Sequence, residues 1–201
     1  MIMPIKTCVF DGDGVVIQSH RFTDCLEREY HIPSSLTLEF FNGAIEACLV
    51  GRADLKQTLG PFLARWQWPD TTDAFIERWF SYGSQVDQQV IDTIGMLRQR
   101  GIRCCLATNQ ERYRVDYMQT RMGFARLFDA IFFSGAIGAK KPNPAFFAHV
   151  TRVLGQTGPE ILFWDDTLSN VEAARSHGWY AEQYRTFADF EQKLQAYLAL
   201  P

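Results

Sequence analysis

Ile5-Lys6-Thr7-Cys8-Val9-Phe10-Asp11-Gly12-Asp13 is an apolar run that stops at two carboxylates separated by one glycine. It reads as a short buried strand with polar residues at its carboxyl end. Runs of the same kind recur at 102–107, 130–133 and 161–164. Between these later runs lie helix-like segments at 87–100, 111–122 and 169–177, each followed by a glycine (Gly101, Gly123, Gly178) of the sort that closes helices. Asn143-Pro144 fits an N-cap followed by proline, and Ser169 to Glu172 and Thr186 to Asp189 resemble capping boxes. Alternating strands and helices predict an α/β fold: a Rossmann-like, mainly parallel sheet with helices on both faces and right-handed crossovers.

Residues 18–85 interrupt that alternation. They contain no convincing strand but show amphipathic helical patterns around 22–30, 37–49, 54–66 and 72–80. The predicted organisation is an α/β core made of 1–17 and 86–201, with 18–85 as a small inserted α-helical cap. The cap is rich in aromatics, among them Trp66, Trp68, Phe75, Trp79 and Phe80. Filling the cap's own small core is favoured over lining a pocket.

Bulk composition is that of an ordinary globular protein. In 201 residues, 47% are hydrophobic and 21% charged, which argues against disorder and fibrous repeats. A formal charge of -3 offers no cationic excess for a polyphosphate backbone, so no nucleic-acid partner is expected. The amino terminus lacks the apolar segment of a signal peptide and no run approaches a membrane span, so a cytoplasmic location without membrane contact is expected. The five cysteines lack any C-x-x-C spacing, which fits a reducing compartment; Cys8, Cys104 and Cys105 read as small buried hydrophobes. The four histidines show no zinc-ligand spacing. No feature points to an oligomeric state.

A doubly wound sheet gathers the carboxyl ends of its strands at one rim, where ligands bind. The residues expected there are Asp11 and Asp13, Thr108 and Asn109, Lys140 and Lys141, and Asp165 and Asp166. Carboxylates converging on one rim repel one another unless a cation intervenes, and an all-oxygen donor set suits Mg²⁺. The hydroxyl, amide and ammonium suit the oxygens of a phosphoryl group. The expected partner is therefore a small phosphorylated metabolite.

In these residues the chain resembles the haloacid dehalogenase (HAD) superfamily, whose four motifs occur in order. They are Val9-Phe10-Asp11-Gly12-Asp13-Gly14-Val15-Val16, Leu106-Ala107-Thr108-Asn109, Gly138-Ala139-Lys140-Lys141-Pro142-Asn143-Pro144 and Phe163-Trp164-Asp165-Asp166-Thr167-Leu168-Ser169-Asn170. The position of the cap is similar to that of the family's first, helical-cap subclass. Leu49-Val50-Gly51-Arg52 and Thr108-Asn109 are also similar to its sugar-phosphate phosphatases and phosphomutases. The resemblance implies a phosphoric monoester hydrolase in which Asp11 attacks phosphorus to form an aspartyl phosphate and Asp13 serves as acid and then base. It implies that Thr108 and Asn109 contact substrate and that Lys141, which directly precedes Pro142, neutralises charge. Mg²⁺ would be held by Asp11, the main-chain carbonyl of Asp13 and Asp166, with Asp165 as ligand or supporting acceptor.

Four rival readings stand beside this one. A dehalogenase of this type lacks the second acid present here as Asp13. A phosphomutase would use the same aspartate nucleophile, and a non-catalytic phosphate-binding relative would be expected to lose Asp11 or Asp13. A phospho-receiver is disfavoured because Ser134 and Gly135, not an aspartate, follow the third strand. His20, Arg21, Arg52 and Lys56 are cap side chains to which no catalytic role is given.

Overall fold

The computed structural model describes residues 5–18 and 21–199. Among them, strands β1 (Thr7–Phe10), β2 (Arg103–Thr108), β3 (Ala130–Phe133), β4 (Ile161–Asp165) and β5 (Tyr180–Gln183) form one sheet in the order β3-β2-β1-β4-β5. Every pairing is parallel. The fold is the Rossmann-like α/β architecture that the alternation predicts. Strand β5 is an addition to the expected four. It is an edge strand of sequence Tyr-Ala-Glu-Gln in which only Ala181 is buried, so it lacks the continuous apolar run of a central strand.

Helices α1 (Phe22–Tyr30), α2 (Ser34–Glu39), α3 (Ile45–Leu49), α4 (Leu55–Arg65) and α5 (Thr72–Tyr82) lie between β1 and α6 (Gln88–Gln99). Then follow α7 (Arg112–Thr120), α8 (Phe124–Leu127), α9 (Ser134–Ile137), α10 (Pro144–Leu154), α11 (Leu168–Ser176) and α12 (Phe187–Leu198). Gly101, Gly123 and Gly178 all take the left-handed conformation expected of helix-closing glycines. Asn143 and Thr186 cap α10 and α12 as anticipated. Ser169 does not cap α11. The Asp165 carboxylate takes the Thr167 N–H at 2.9 Å, the chain turns into the helix at that point, and Thr167 becomes its N-cap.

The two-residue period of the strands divides the core in two. Cys8, Phe10, Cys104, Leu106, Leu162 and Trp164 face α6, α7 and α12, whereas Val9, Cys105, Ala107, Ile161 and Phe163 face α10 and α11. All five cysteines are free and buried, which fits the reading of Cys8, Cys104 and Cys105 as packing residues. A third apolar cluster belongs to α1–α5: Trp66, Phe75 and Phe80 are buried within it, and Trp68 and Trp79 pack partly buried against it. Helices α2 and α3 are joined by a π-turn over Phe40–Ala44, so the single helix expected over 37–49 is one continuous but widened run. Thr37, Phe40, Ile45 and Cys48 form its buried side.

This helical layer touches the sheet half at defined points. Asp54 pairs with Arg112 and accepts the Tyr113 hydroxyl at 2.8 Å, and Glu46 pairs with Lys140. Gly51 has a φ of 70°, and a Cβ there would lie 2.2 Å from the Gly135 carbonyl oxygen, so the two backbones meet directly. No helix among the described residues is long and apolar enough to cross a membrane.

Candidate active site

The order of the sheet reverses at β1, which has β2 on one side and β4 on the other, and the crevice at that reversal is where such folds place ligands. Register decides who meets there. Phe10 stands opposite both Leu106 and Trp164, so the residues just beyond the strand ends, Asp11 and Gly12, fall beside Asp165 and Thr108. Asp11 N–H donates to the Trp164 carbonyl at 2.8 Å and extends the pairing by one residue.

Asp11 Oδ1 accepts the Gly12 N–H at 2.6 Å and lies 2.8 Å from Lys141 Nζ. Lys141 Nζ also lies 2.6 Å from Asp165 Oδ2, and its side chain is 1% exposed. Burial opposes the charge of this lysine, but the Asp11 and Asp165 carboxylates outweigh it and hold the ammonium above its usual range. Of the two adjacent lysines, Lys141 enters the site and Lys140 turns outward to Glu46 on α3.

Asp11, Asp165 and Asp166 each bring a carboxylate oxygen within 4.8 Å of the others. Their donors are oxygens only, and Lys141 neutralises one charge of the three, leaving a deficit that one divalent cation matches. The residues present thus fit a Mg²⁺ ion. Asp165 and Asp166 differ in how free they are. Asp165 is fully buried, and its oxygens accept from Lys141, from Thr167 N–H and from Asn170 Nδ2 at 3.0 and 3.1 Å. Asp166 is exposed, with Oδ1 accepting the Thr167 hydroxyl at 3.1 Å. Its Oδ2 is the atom that a Cβ on Gly14 would approach to 2.3 Å. Burial, and then the Asp165 charge, raise the pKa of Asp166. Burial likewise pushes Asp11 well up, opposed by Lys141 and reinforced by Asp165. A cation here would favour the ionised form of every one of these groups.

Asp13 lies two residues beyond Asp11. Its Oδ2 accepts the Gln110 side-chain amide at 2.6 Å. Burial raises its pKa, with Arg114 and then Gln110 offsetting part of the rise. Arg114, on α7, is itself buried and donates to the carbonyls of Phe80 (2.8 Å) and Gly83. Asp13, Gln110 and Arg114 line a cavity of about 240 Å³ whose remaining walls include Phe22, Trp79 and Phe80 from the helical layer.

Thr108 is buried at the end of β2, where its Oγ1 would lie 3.0 Å from a Cβ on Gly12; any residue but glycine at 12 would crowd it. Asn109, expected as a substrate contact, is engaged with the protein itself. Its Nδ2 donates to the Lys141 carbonyl at 2.9 Å and its Oδ1 accepts the Lys141 N–H at 2.8 Å, so both ends of the amide are taken up by one residue of the protein. Among the polar side chains of the helical layer's segment, Arg21 lines the cavity beside Asp13, and Arg52 lines a separate one of about 290 Å³. Lys56 pairs with Asp73 at 2.6 Å, and His20 lies outside the described residues.

Gln110, Arg114 and Asn170 have roles in this arrangement that the sequence reading did not assign. Asn170 lies two residues inside α11, facing back toward β4, and its place at the end of the fourth motif was the signal available for it. A lone glutamine and a helical arginine carry no comparable signal.

A family model described as haloacid dehalogenase-like hydrolase matches residues 5–178. The chain is 33% identical over 89 residues to a phosphoglycolate phosphatase of Pseudomonas putida, a stretch amounting to 44% of this chain and 33% of that protein. It is 42% identical over 94 residues to a sesquiterpene phosphatase of Aspergillus oryzae, 46% of this chain and 47% of that one. The matches therefore span less than half the length of these curated relatives. In three dimensions the chain resembles the magnesium complex of a HAD family enzyme from Bacteroides thetaiotaomicron, with a TM-score of 0.82 at 19% identity over 96% of this chain and 100% of that one. It also resembles an L-2-haloacid dehalogenase of Xanthobacter autotrophicus, with a TM-score of 0.67 at 21% identity over 96% and 83% of the two chains. With the family model covering residues 5–178 and the acidic cluster set at the crevice beside β1, this chain belongs to the haloacid dehalogenase-like hydrolases.

Proposed function

We propose that the chain hydrolyses phosphate monoesters of small metabolites with Mg²⁺, through an aspartyl phosphate on Asp11. The observation that carries the reading is Asp13, a second, half-buried acid two residues beyond Asp11 that lines a cavity. A leaving alkoxide needs a proton at its oxygen, and a departing halide does not. The phosphoglycolate phosphatase relatives support the same chemistry.

Asp11, its carboxylate held by Gly12 and Lys141, attacks phosphorus and displaces the alcohol oxygen, to which Asp13 gives its proton. Water then attacks the phosphorus, Asp13 takes the proton back, and the bond to Asp11 breaks to release phosphate. Thr108 donates to a phosphoryl oxygen, and Lys141 balances the charge that collects on Asp11 and the transferring group. The metal ligands in this reading are Asp11, the main-chain carbonyl of Asp13, and Asp166. Asp165 supports them instead, because its oxygens already serve Lys141, Asn170 and Thr167. When bound, Mg²⁺ supplies positive charge to the phosphoryl oxygens. Residues 18–85 act as the cap, and the cavity beside Asp13 receives the leaving group.

A second reading of the substrate, an apolar alcohol such as a terpenoid, is favoured by the Phe22, Trp79 and Phe80 walls of that cavity and by the sesquiterpene phosphatase relative. A panel of phosphorylated metabolites, from short polar to long apolar alcohols, separates the two.

Hydrolysis of p-nitrophenyl phosphate is expected to need Mg²⁺, to stop on chelation and to return when Mg²⁺ is restored; turnover undiminished in chelator would sink the metal reading. Gly14→Ala is expected to raise the Mg²⁺ concentration for half-maximal rate on the order of tenfold, a loss of about 1.4 kcal/mol in binding. The added methyl would collide with Asp166 Oδ2 and strain a backbone whose φ is 88°. An unaltered Mg²⁺ dependence in that variant would remove Asp166 from the ligand set.

A further inference from the structure

Lys141, a charge-balancing group under the function proposed above, has to be held in place. Its ammonium must stand between Asp11 and Asp165, at 2.8 and 2.6 Å, at the end of a long flexible stem. Its main chain belongs to no strand or helix. It follows α9 and Gly138 in a loop, so no ladder of backbone hydrogen bonds fixes it. Asn109 supplies the missing partner. One side-chain amide accepts from the Lys141 N–H and donates to the Lys141 carbonyl, as a neighbouring strand would, although 32 residues separate the two in sequence. Two bonds to one residue set both the position and the rotation of its Cα, and hence where the ammonium can reach.

Asn109 follows directly on Thr108 at the end of β2, so the phosphoryl-facing hydroxyl and the lysine loop are referred to the same strand end. Both amide atoms are turned to the Lys141 main chain, and although one N–H and one oxygen lone pair are left over, Asn109 is not among the residues that line the cavity beside Asp13. We infer that Asn109 is a positioning residue that acts on the reaction only through Lys141.

The test is a double-mutant cycle of wild type, Asn109→Ala, Lys141→Met and both together. It is read as kcat and KM for p-nitrophenyl phosphate at saturating Mg²⁺, with a melting temperature for each protein. Asn109→Ala alone is expected to lower kcat roughly 10- to 100-fold while KM moves less than about threefold. In the Lys141→Met background the same change is expected to cost less than about twofold, because the group it positions is gone. A risen KM with kcat intact would return Asn109 to the substrate. Equal losses in both backgrounds would make it a direct or merely structural contributor. Either result overturns the inference.

Asn109→Asp keeps the acceptor and loses the donor. It is expected to behave like Asn109→Ala, and a wild-type kcat in it would refute the two-point clamp even if the alanine variant did not fold. Where turnover of Lys141→Met falls below detection, the same cycle is read as Kd for inorganic phosphate in Mg²⁺, with the same non-additivity expected. If Lys141→Met alone kept the wild-type kcat, the proposed role of Lys141 would fail, which is a different outcome from additivity.

Discussion

Asp11→Asn is expected to abolish turnover of every phosphate ester the protein accepts, a loss on the order of 10⁴- to 10⁶-fold in kcat. Asparagine keeps the size of the side chain and an oxygen that can accept from Gly12 and Lys141, so the surrounding contacts survive. What disappears is the nucleophilic carboxylate. Stability is expected to hold or to rise, because burial and the Asp165 charge both disfavour ionised Asp11. Wild-type protein quenched in acid during turnover should carry phosphate on one aspartate, and Asp11→Asn should carry none. Retained turnover in a correctly melting variant would refute the nucleophile.

The second large effect depends on the substrate. Asp13→Asn is expected to lose about 10²- to 10⁴-fold in kcat/KM with alkyl phosphates and far less with p-nitrophenyl phosphate, whose phenolate leaves without a proton. The pKa of Asp13 is raised by burial, so its acid form extends to higher pH than that of an ordinary aspartate. Activity on alkyl esters should therefore fall as pH rises through that pKa, because the proton to be donated is lost. With the aryl ester this alkaline limb should be weak, and in Asp13→Asn it should vanish. Equal losses on both ester types would argue that Asp13 serves the metal or the fold instead.

How much of this was legible in the sequence varies by element. The three inner strands β1, β2 and β4 announce themselves because each is buried on both faces and reads as an apolar run ending in polar residues, and the edge strand β3, though half-exposed, keeps the apolar run Ala-Ile-Phe-Phe. β5 is not legible in that way. It lies at the edge, pairs on one side only and keeps Glu182 and Gln183 half-exposed. Asp11, Thr108, Lys141 and the Asp165-Asp166 pair are gathered by topology, and the positions after strand ends predict that gathering.

Which of two neighbours enters the site is harder to read. Lys141 and Lys140 are chemically identical, so the choice of Lys141 came from the family resemblance at Lys141-Pro142, and the path of the loop is what sends it inward. Asp165 and Asp166 likewise separate only once Asn170 and Thr167 are seen to occupy the first. Asn109 was read as a substrate group because an amide beside a phosphate-binding hydroxyl invites it. Its partner is a main-chain segment 32 residues away, which no local pattern reveals.

The π-turn over Phe40–Ala44 bears on how this segment of the chain can vary. Its buried side chains fall at Thr37, Phe40, Ile45 and Cys48, where the wide turn accommodates a spacing of five between two spacings of three. Without one residue of the turn the middle spacing would be four, and an ordinary α-helix would present the same four side chains to the same cluster. The extra residue falls among Phe41, Asn42 and Gly43, of which Asn42 and Gly43 are exposed while Phe41 packs partly buried against the same cluster. Insertion and deletion of a single residue are thus equivalent solutions for this helix, and homologues one residue shorter here would still align core to core.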